Sequence, residues 1–279
     1  MDRPAHGVRT LDAAGARSLL FVPATRADRI GRALACGADI TIVDLEDAVA
    51  PDDKVAARAA LAGVGHRVAV RINACGTPWF DGDLAACRDA KVPVVMLPKA
   101  EQPVQVERVR ATAGHCAVIA IVETAAGFDA IDAVARTPGV ARLAFGSLDL
   151  QAELGIDDAD LPLHYFRSRL VLAARLGGLS APIDGVCTSL DDDVALAAEL
   201  ARARRFGFGG KLCIHPRQVA AVGAAFRPTA AQLSWAERVV AAAGSGAARV
   251  DGCMVDAPVV ARARDLLRQA AQCAADRPD

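Results

Sequence analysis

Eight short apolar runs recur along the chain, and helical patterns separate them. The runs are Ser18 to Pro23, Ile40 to Glu46, Arg67 to Asn73, Val94 to Lys99, Val118 to Glu123, Arg142 to Asp149, Ala181 to Thr188 and Gly210 to Pro216. They are nearly continuous in Val, Ile, Leu and Ala, which is typical of parallel strands covered on both faces. Eight such units in about 220 residues predict an α/β protein with a (β/α)8 TIM barrel.

Ala-rich amphipathic segments mark the predicted helices. In Asp191 to Phe206, acidic residues open the segment and arginines close it, as the helix macrodipole favours. Tyr165 to Leu176 has a similar pattern, and the loop-like segment Ser245 to Asp256 precedes a last predicted helix, Ala257 to Ala274. We therefore predict an N-terminal tail (residues 1–17), a barrel (18–228) and a C-terminal helical extension (229–279).

The composition limits the class of protein. With 279 residues, 53% apolar and 23% charged, the chain can bury a sizeable core, and its net charge of -1 would attract neither nucleic acid nor a membrane. No apolar stretch approaches the roughly 18 residues of a spanning helix. The charged N-terminus does not resemble a secretory signal, so we expect a cytoplasmic protein. The eight cysteines never approach CxxC spacing and are expected to be small core residues.

Charged residues close the predicted strands, where a barrel of this type builds its active site. Glu46 and Asp47 end the second run, Arg71 and Asn73 the third, Lys99 the fourth, Glu123 the fifth, Asp149 the sixth and His215 the eighth, while Asp184 lies inside the seventh. A single charged strand end is usually a solvated loop residue or a helix cap. Several on one rim predict an active site.

Glu123 and Asp149 are the predicted metal ligands. Both are hard oxygen donors on adjacent predicted strands, so they could share one small divalent cation. Mg²⁺ fits best because it accepts one or two carboxylates, retains waters and leaves positions for a chelating substrate. The alternative is that each carboxylate caps a helix, since helical patterns follow both.

Two further rim residues have competing interpretations. Lys99 ends a barrel strand, the position of a Schiff-base nucleophile, but Glu101 and the nearby carboxylates would keep it protonated, which favours ion pairing. His215 is interpreted as a hydrogen-bonded rim residue rather than a ligand or base.

Nine segments carry a resemblance to a known family. They are, in order, RSLLFVPATRADRI, VDLEDAVAPDDK, VRIN, VMLPKAE, IVETAAG, LAFGSLDL, IDGV, GFGGKLCIHPRQV and DGCMVDAP, between Arg17 and Pro258. Together they resemble the CitE-like branch of the HpcH/HpaI aldolase and citrate lyase β-subunit family. The resemblance implies a Mg²⁺-dependent TIM barrel that makes or breaks a carbon-carbon bond between an acetyl thioester and a 2-oxo acid, as in malyl-CoA and citramalyl-CoA lyases.

The resemblance also implies roles for individual residues. Glu123 and Asp149 match the family's metal carboxylates, and Arg71 matches its substrate-binding arginine. A guanidinium there would stabilise the enolate of the acetyl thioester without acting as a base. Glu46 and Asp47 could hold metal-bound water, with Lys99 near the same carboxylates; alternatively Arg71 only pairs with these two acids to close the rim.

Two residues outside this set are implied as well. Asp256 matches a C-terminal aspartate that reaches the active site from a neighbouring subunit, which implies a homotrimer or hexamer; the alternative is a cap of the last helix, with Pro258 in its first turn. Lys54 aligns with a coenzyme A-contacting lysine, and its alternative is a solvated residue at a helix start.

The expected function is that of a Mg²⁺-dependent carbon-carbon lyase cleaving a 3-hydroxyacyl thioester. Three alternatives remain open: a citrate lyase β-subunit acting on citryl-acyl carrier protein, a metal-free Schiff-base aldolase using Lys99, and a catalytically silent assembly subunit. The sequence does not identify the substituent on C3 of the thioester.

Overall fold

Eight parallel strands close into a barrel in chain order. In the computed structural model, which describes residues 11–158, 160–243 and 248–275, these strands are β1 (Ser18–Pro23), β2 (Ile40–Asp44), β3 (Ala69–Arg71), β4 (Val94–Leu97), β5 (Ala117–Val122), β6 (Val140–Phe145), β7 (Ile183–Asp184) and β8 (Gly210–Cys213). Strand β1 pairs with both β2 and β8, which completes the closure. The predicted (β/α)8 barrel is confirmed.

Helices connect the strands and cover the outside of the barrel. They are α1 (Ala27–Ala35), α2 (Lys54–Ala57), α3 (Phe80–Asp89), α4 (Pro103–Ala113), α5 (Ala125–Asp129), α6 (Ile131–Arg136), α7 (Ser147–Leu154), α8 (His164–Leu176), α9 (Asp193–Phe206) and α10 (Pro216–Ala225). The ends of helix α9 show why its sequence pattern predicts a helix. The Asp192 side chain accepts hydrogen bonds from two backbone N-H groups of its first turn, and Gly207 ends it in the left-handed conformation.

Burial on both faces explains the continuous apolar runs. On β5, Ile119 and Ile121 belong to the cluster that fills the barrel interior, whereas Val118 and Ala120 alternate with them. All four side chains are buried. An apolar residue is therefore favoured at every strand position, not at every second one.

Several predicted runs extend past the strands at their carboxyl ends. The run Arg142 to Asp149 is an example, because β6 stops at Phe145 and Gly146 begins the turn into α7. Asp149 is thus in the first turn of a helix and not at the end of a strand. The apolar runs included residues of the rim because these are also partly buried.

The amino-terminal end of the barrel is closed by residues that the sequence analysis placed in a tail. Ala13 and Ala16 are buried in the barrel-interior cluster, and Arg142 donates hydrogen bonds to the carbonyl oxygens of Ala16 and, at 2.6 Å, Ala181. Arg142 is 2% exposed, so its guanidinium depends on these carbonyls for partners. Residues 1–10 lie outside the described residues.

A buried ionic cluster joins β7 and β8 to the helices around them. Asp184 accepts hydrogen bonds from Arg167 of α8 at 2.5 Å and from Lys211 of β8 at 2.8 Å, and Lys211 also pairs with Glu199 of α9 at 2.9 Å. Burial alone would raise the pKa of Asp184, but the two cations hold it below its usual value. Asp184, the charged residue inside the seventh predicted run, therefore pairs with Arg167 and Lys211 and stabilises the barrel wall.

The residues from Phe226 onward form a second compact unit. Helices α11 (Ala230–Ala242) and α12 (Ala257–Ala275) flank an antiparallel hairpin of β9 (Ala248–Val250) and β10 (Cys253–Val255). The expectation of a loop over Ser245 to Asp256 is wrong for residues 248–255. Asp251 and Gly252 both have positive φ, as a two-residue type I′ turn requires, and this Asp-Gly pair is a hairpin signal.

The cysteines only partly follow the expectation of core residues. Those at 87, 116, 187 and 213 are buried, those at 36 and 75 are half-buried, and Cys253 is exposed. The side chain of Cys273 lies outside the described residues. In the parts of the chain that the structure describes, no helix combines the length and apolar character needed to cross a membrane.

Replacing Asp184 with alanine is expected to lower the free energy of unfolding by about 3–5 kcal/mol, because it removes the carboxylate that pairs with the buried Arg167 and leaves Lys211 with Glu199 as its remaining counter-charge. Asp191→Ala is the matched control. It removes an ion pair whose side chains are 87% and 72% exposed and should cost less than about 1 kcal/mol. Denaturant unfolding measures both; equal losses would contradict a stabilising role for the cluster.

Candidate active site

A cavity of about 380 Å³ opens at the carboxyl ends of the barrel strands. Its polar lining consists of Asp44, Asp47, Arg71, Glu123, Ser147 and Asp149, and its apolar lining includes Phe21, Ile121, Phe145, Leu148, Val186, Leu212 and Ile214. Four of the predicted rim residues therefore meet in one place, namely Asp47, Arg71, Glu123 and Asp149.

Arg71 is held by carboxylates on one side of this cavity. Its Nε donates to Oδ1 of Asp44 at 2.8 Å and its Nη2 to Oδ2 at 2.6 Å, a two-bond fork. Its Nη1 lies 3.1 Å from Asp47 and 3.2 Å from Glu46, and its guanidinium stacks over the Phe21 ring at 4.7 Å. Burial alone would lower the pKa of Arg71, but the Asp44 contacts raise it. The side chain is a fixed cation.

Asp44 is a site residue that the sequence analysis missed. It is 1% exposed, and besides Arg71 it accepts hydrogen bonds from the backbone N-H groups of Glu46 and Ala48. Asp44 thus orients both the guanidinium and the loop that carries Glu46 and Asp47. The available signal was a carboxylate inside an otherwise apolar strand, which burial permits only when the charge is paired.

Glu123 is fixed by backbone contacts. Its Oε1 accepts a hydrogen bond of 2.9 Å from the backbone N-H of Lys99, which adopts a positive φ of 47°. Gly146 provides the space for the carboxylate, because a Cβ at that position would lie 2.2 Å from Oε2 of Glu123. Lys99 therefore contributes its backbone to Glu123, a role that side-chain chemistry does not reveal.

Of the carboxylates expected to pair with Lys99, Glu101 does not do so, whereas the charge of Lys99 acts on Asp149 and Glu46 and opposes the rise of their pKa values. Glu101 instead accepts a hydrogen bond from the Thr124 hydroxyl, and within the described ranges Lys99 makes no ion pair within 4.0 Å. Thr124 also caps α5 by accepting from the N-H of Gly127. The helix-cap alternative for Glu123 is thus wrong, because its neighbour does the capping.

Asp149 lies in the first turn of α7, where Gly146 and not Asp149 occupies the N-cap position. The positive end of the helix dipole favours a carboxylate there. Burial, followed by the charge of Asp47, nevertheless raises the pKa of Asp149. The helix-cap alternative for Asp149 is wrong as well, and Asp149 itself lines the cavity.

The carboxylates of the site repel one another. Burial, followed by the charges of Asp149 and Glu46, raises the pKa of Glu123 to about 8. Burial raises the pKa of Glu46 to about 7, although Arg71 opposes the shift. Oε2 of Glu46 is buried and accepts no hydrogen bond. A bound cation would relieve this concentration of negative charge.

The donor set fits a hard divalent cation. Glu123 and Asp149 supply oxygen only, and Mg²⁺ needs one or two carboxylates and completes its octahedron with water and substrate. Among the described residues no group of three or more His, Cys, Asp or Glu side chains is arranged to hold a metal without such help. An open site of this kind suits a cation that also binds substrate.

Other candidate residues lie outside the cavity lining. Lys54 is buried, donates to the carbonyl oxygens of Leu45 and Glu46 at 3.2 and 2.9 Å, and packs over the Trp79 ring. The solvated alternative for Lys54 is wrong, and its ammonium group is engaged within the protein rather than presented to a coenzyme. His215 accepts a hydrogen bond from the N-H of Arg217, as expected of a rim histidine.

Asn73 and Asp256 have local structural contacts. The Asn73 amide bonds the buried Asp83 carboxylate at 2.6 Å and the carbonyl oxygen of Leu45 at 3.0 Å. Asp256 is exposed at the start of α12, where its Oδ1 accepts from the N-H of Val259 at 3.1 Å. The geometry of Asp256 is that of a helix cap within the C-terminal unit.

Comparison with known proteins identifies close relatives. A family model described as HpcH/HpaI aldolase/citrate lyase matches residues 17–216. The chain is 39% identical over 270 residues to a citrate lyase subunit beta-like protein of Mycobacterium tuberculosis, spanning 92% of this chain and 96% of that one. It is 35% identical over 276 residues to a (3S)-malyl-CoA thioesterase of Cereibacter sphaeroides, spanning 94% and 96%.

Solved structures also match this chain. The protein CitE from Mycobacterium tuberculosis, in complex with magnesium, acetoacetate and coenzyme A, superposes with a TM-score of 0.83 at 38% identity. The match covers 94% of this chain and all of that one. The resemblance inferred from the nine sequence segments is confirmed.

The metal-free protein is expected to lose stability as pH rises from 4.5 to about 8, because Glu123 binds its proton more tightly folded than unfolded. Glu123→Gln removes that loss. In chelator at pH 8 the variant should melt several degrees above the wild type, since one pKa unit corresponds to about 1.4 kcal/mol and 1 kcal/mol to about 2–4 °C in a chain of this size.

Thermal unfolding across this pH range, with and without Mg²⁺, measures the effect. The exposed Glu107→Gln is the control and should follow the wild type. Mg²⁺ should stabilise the wild type and not Glu123→Gln. A lower melting temperature for Glu123→Gln in chelator at pH 8 would refute the argument from charge repulsion.

Proposed function

The chain belongs to the HpcH/HpaI aldolase/citrate lyase family, and we propose that it cleaves or forms a 3-hydroxyacyl-CoA thioester, giving a 2-oxo acid and acetyl-CoA. The expectation of a lyase is confirmed at the level of this family. The particular thioester, such as malyl-CoA or citramalyl-CoA, belongs to the proposal. The named relatives and the CitE complex with magnesium and coenzyme A support it.

One observation carries the proposal: a fixed guanidinium and two carboxylates line the same cavity. Arg71 is anchored by Asp44, while Glu123 follows β5 and Asp149 lies in the first turn of α7, which follows β6. A carbon-carbon lyase of this type needs a cation for a thioester enolate and oxygen donors for a metal at the 2-oxo acid. The lining residues supply both.

The cleavage is balanced without an added reagent. The hydroxyl on C3 loses its proton and becomes the carbonyl of the 2-oxo acid as the C2-C3 bond breaks. The electron pair of that bond passes to C2 and the thioester oxygen as an enolate, and a proton added at C2 gives the acetyl group. Arg71 stabilises the enolate oxygen, because its three bonds to Asp44 and Asp47 leave further N-H groups of the guanidinium for a ligand.

Glu123 and Asp149 are proposed to hold Mg²⁺, which when bound polarises the oxygens of the 2-oxo acid portion. Glu46 does not line the cavity, but it contacts Arg71 and its charge acts on Glu123. Glu46 and Asp47 are therefore proposed to position Arg71 and to accept hydrogen bonds from water beside the metal ligands. Lys99 acts through its backbone N-H on Glu123.

Hydrolysis of the thioester is a second candidate. The (3S)-malyl-CoA thioesterase relative at 35% identity favours it, and the same lining carboxylates could accept a proton from an attacking water. The Schiff-base alternative has less support, because Lys99 is outside the cavity lining. A citrate lyase β-subunit role with acyl carrier protein has the same site and differs in the thioester carrier. Arg71, Glu123 and Asp149 line one cavity together, which argues against a catalytically silent subunit.

The test is an assay of malyl, citramalyl and citryl-CoA, with mass spectrometry of the products. 3-Hydroxy-3-methylglutaryl-CoA, whose cleavage would give a 3-oxo acid, is included as a comparison outside the proposed class. We expect acetyl-CoA and a 2-oxo acid in equal amounts, only with Mg²⁺. Glu123→Ala and Asp149→Ala should abolish turnover and retain the fold, and Glu107→Ala should keep both. Free CoA with an intact hydroxy acid would favour hydrolysis, and full activity in excess chelator would refute the metal site.

We also propose that Asp256 exchanges the proton at C2 in the site of a neighbouring subunit of a homotrimer or hexamer. Its exposure at the start of α12 supports this. Asp256→Asn keeps the shape and loses the exchangeable carboxyl proton, so it should fold, bind Mg²⁺ and fail in turnover.

Mixed oligomers of Asp256→Asn and Arg71→Ala chains test the shared site. Each variant alone should be inactive, whereas co-assembly should restore part of the activity, since some sites then combine an intact Arg71 with an intact Asp256. If verified hetero-oligomers regain no activity, or if a monomer is active, the shared site is refuted and Asp256 is only a helix cap.

A further inference from the structure

The carboxylates of Glu123 and Asp149 belong to two turns that follow neighbouring strands. Glu123 begins the turn between β5 and α5, and Asp149 follows the turn between β6 and α7. Residues 123–125 and 146–149 are named the two ligand turns. Oxygen ligands on separate turns share a small cation only if the distance between the turns is fixed, because Mg²⁺ demands near-ideal octahedral geometry.

A backbone hydrogen bond joins the ligand turns at the end nearer the strands. The N-H of Gly146 donates to the carbonyl oxygen of Val122 at 3.1 Å, and this bond extends the pairing of β5 with β6. Val122 directly precedes Glu123, whereas Gly146 is three residues before Asp149. The strands therefore fix the beginnings of both turns but not their far ends.

A side chain of α7 joins the far ends. Oε2 of Glu153 accepts a hydrogen bond of 2.9 Å from the backbone N-H of Ala125, the first residue of α5. This N-H is one of the donors at a helix start that have no partner within the helix. Glu153 is four residues after Asp149, so the two lie on the same face of α7. The contacts of Gly146 and Glu153 thus close a ring that contains both ligand turns.

This ring opposes the repulsion between the two ligands. The charge of Asp149 contributes, after burial, to the raised pKa of Glu123, so the two carboxylates act unfavourably on each other. A pair that is already held together needs no further ordering when a cation binds, which strengthens binding. Glu153 is exposed and does not line the cavity, so it can hold the ligand turns without touching a substrate.

We propose that Glu153 is a positioning residue of the metal site: its bond to Ala125 fixes the separation of Glu123 and Asp149 and thereby raises the affinity for a divalent cation. This rests on the proposed function, in which these two carboxylates hold Mg²⁺. The property that matters is the reach of a hydrogen-bond acceptor from α7 to Ala125, and not the negative charge of Glu153.

Binding of Mn²⁺ to the metal-free protein tests the proposal without turnover. Mn²⁺ takes the same oxygen ligands as Mg²⁺, and electron paramagnetic resonance measures the unbound ion. Glu153→Ala should weaken binding about 10-fold, as is typical of residues that orient metal ligands. Glu153→Gln keeps the acceptor and loses the charge, so its affinity should stay close to that of the wild type.

Asp192→Ala is the matched control. Asp192 is exposed, and its side chain accepts hydrogen bonds from the N-H groups of Val194 and Ala195 at the start of α9. It lies outside the cavity lining. The substitution therefore removes similar bonds at a helix start without affecting the ligand turns, and it should leave the affinity for Mn²⁺ unchanged.

Hydrogen exchange of the metal-free protein gives a readout that does not depend on the cation. The amide of Ala125 should exchange faster in Glu153→Ala than in the wild type, because it loses its acceptor. It should stay protected in Glu153→Gln and in Asp192→Ala.

The outcomes separate this role from the proposed function. Unchanged Mn²⁺ affinity in Glu153→Ala overturns the role of Glu153, and so does an equal loss in Glu153→Gln, which would assign the effect to charge. An equal loss in Asp192→Ala also overturns it, because the effect would then follow general stability. If the wild type itself binds no Mn²⁺, the metal site of the proposed function fails, and the role of Glu153 fails with it.

Discussion

The two-bond fork between Asp44 and Arg71 is the contact on which the geometry of the site depends. Both oxygens of a nearly fully buried carboxylate hold one guanidinium, and the same oxygens accept N-H groups from the loop that follows β2. One residue thereby fixes the cation and the positions of Glu46 and Asp47. Because the pair is buried, removal of Asp44 would leave Arg71 without its main counter-charge, so the arrangement is maintained as a unit.

Unlike the Asp44–Arg71 pair, the carboxylates of Glu123 and Asp149 are held where their negative charges are unfavourable. Glu123 is held in place by a backbone N-H from the strained Lys99 and by the absence of a side chain at Gly146. The backbone strain at Lys99 thus helps to keep Glu123 near Asp149, although burial and repulsion raise the pKa of both carboxyl groups. Such an arrangement destabilises the metal-free protein and favours cation binding, which is how function and stability commonly oppose each other.

The fold and the rim residues could be predicted from the sequence because two strong patterns coincide. Burial on both faces makes each strand an apolar run, and charges at the ends of these runs stand out. Asp44 was hidden because it lies inside a run, and its significance depends on Arg71 of another strand. The contacts of Lys54 and the role of Lys99 depend on backbone atoms, which residue types do not encode. The Asp251-Gly252 pair is a hairpin signal in the sequence, but the loop-like composition around it favours the prediction of a loop, which is wrong for residues 248–255.

Exchange of the acetyl-CoA methyl protons with D2O tests the central claim most directly, because it detects enolate formation beside Arg71 without net turnover. With Mg²⁺ and an unreactive 2-oxo acid analogue such as oxamate, we expect the wild type to exchange these protons, as followed by proton NMR. Arg71→Lys, which keeps the charge and loses the planar fork, should slow the exchange by about 10²–10³-fold. Release of free CoA without exchange in the wild type, or exchange at the wild-type rate in Arg71→Lys, would contradict the enolate role of Arg71.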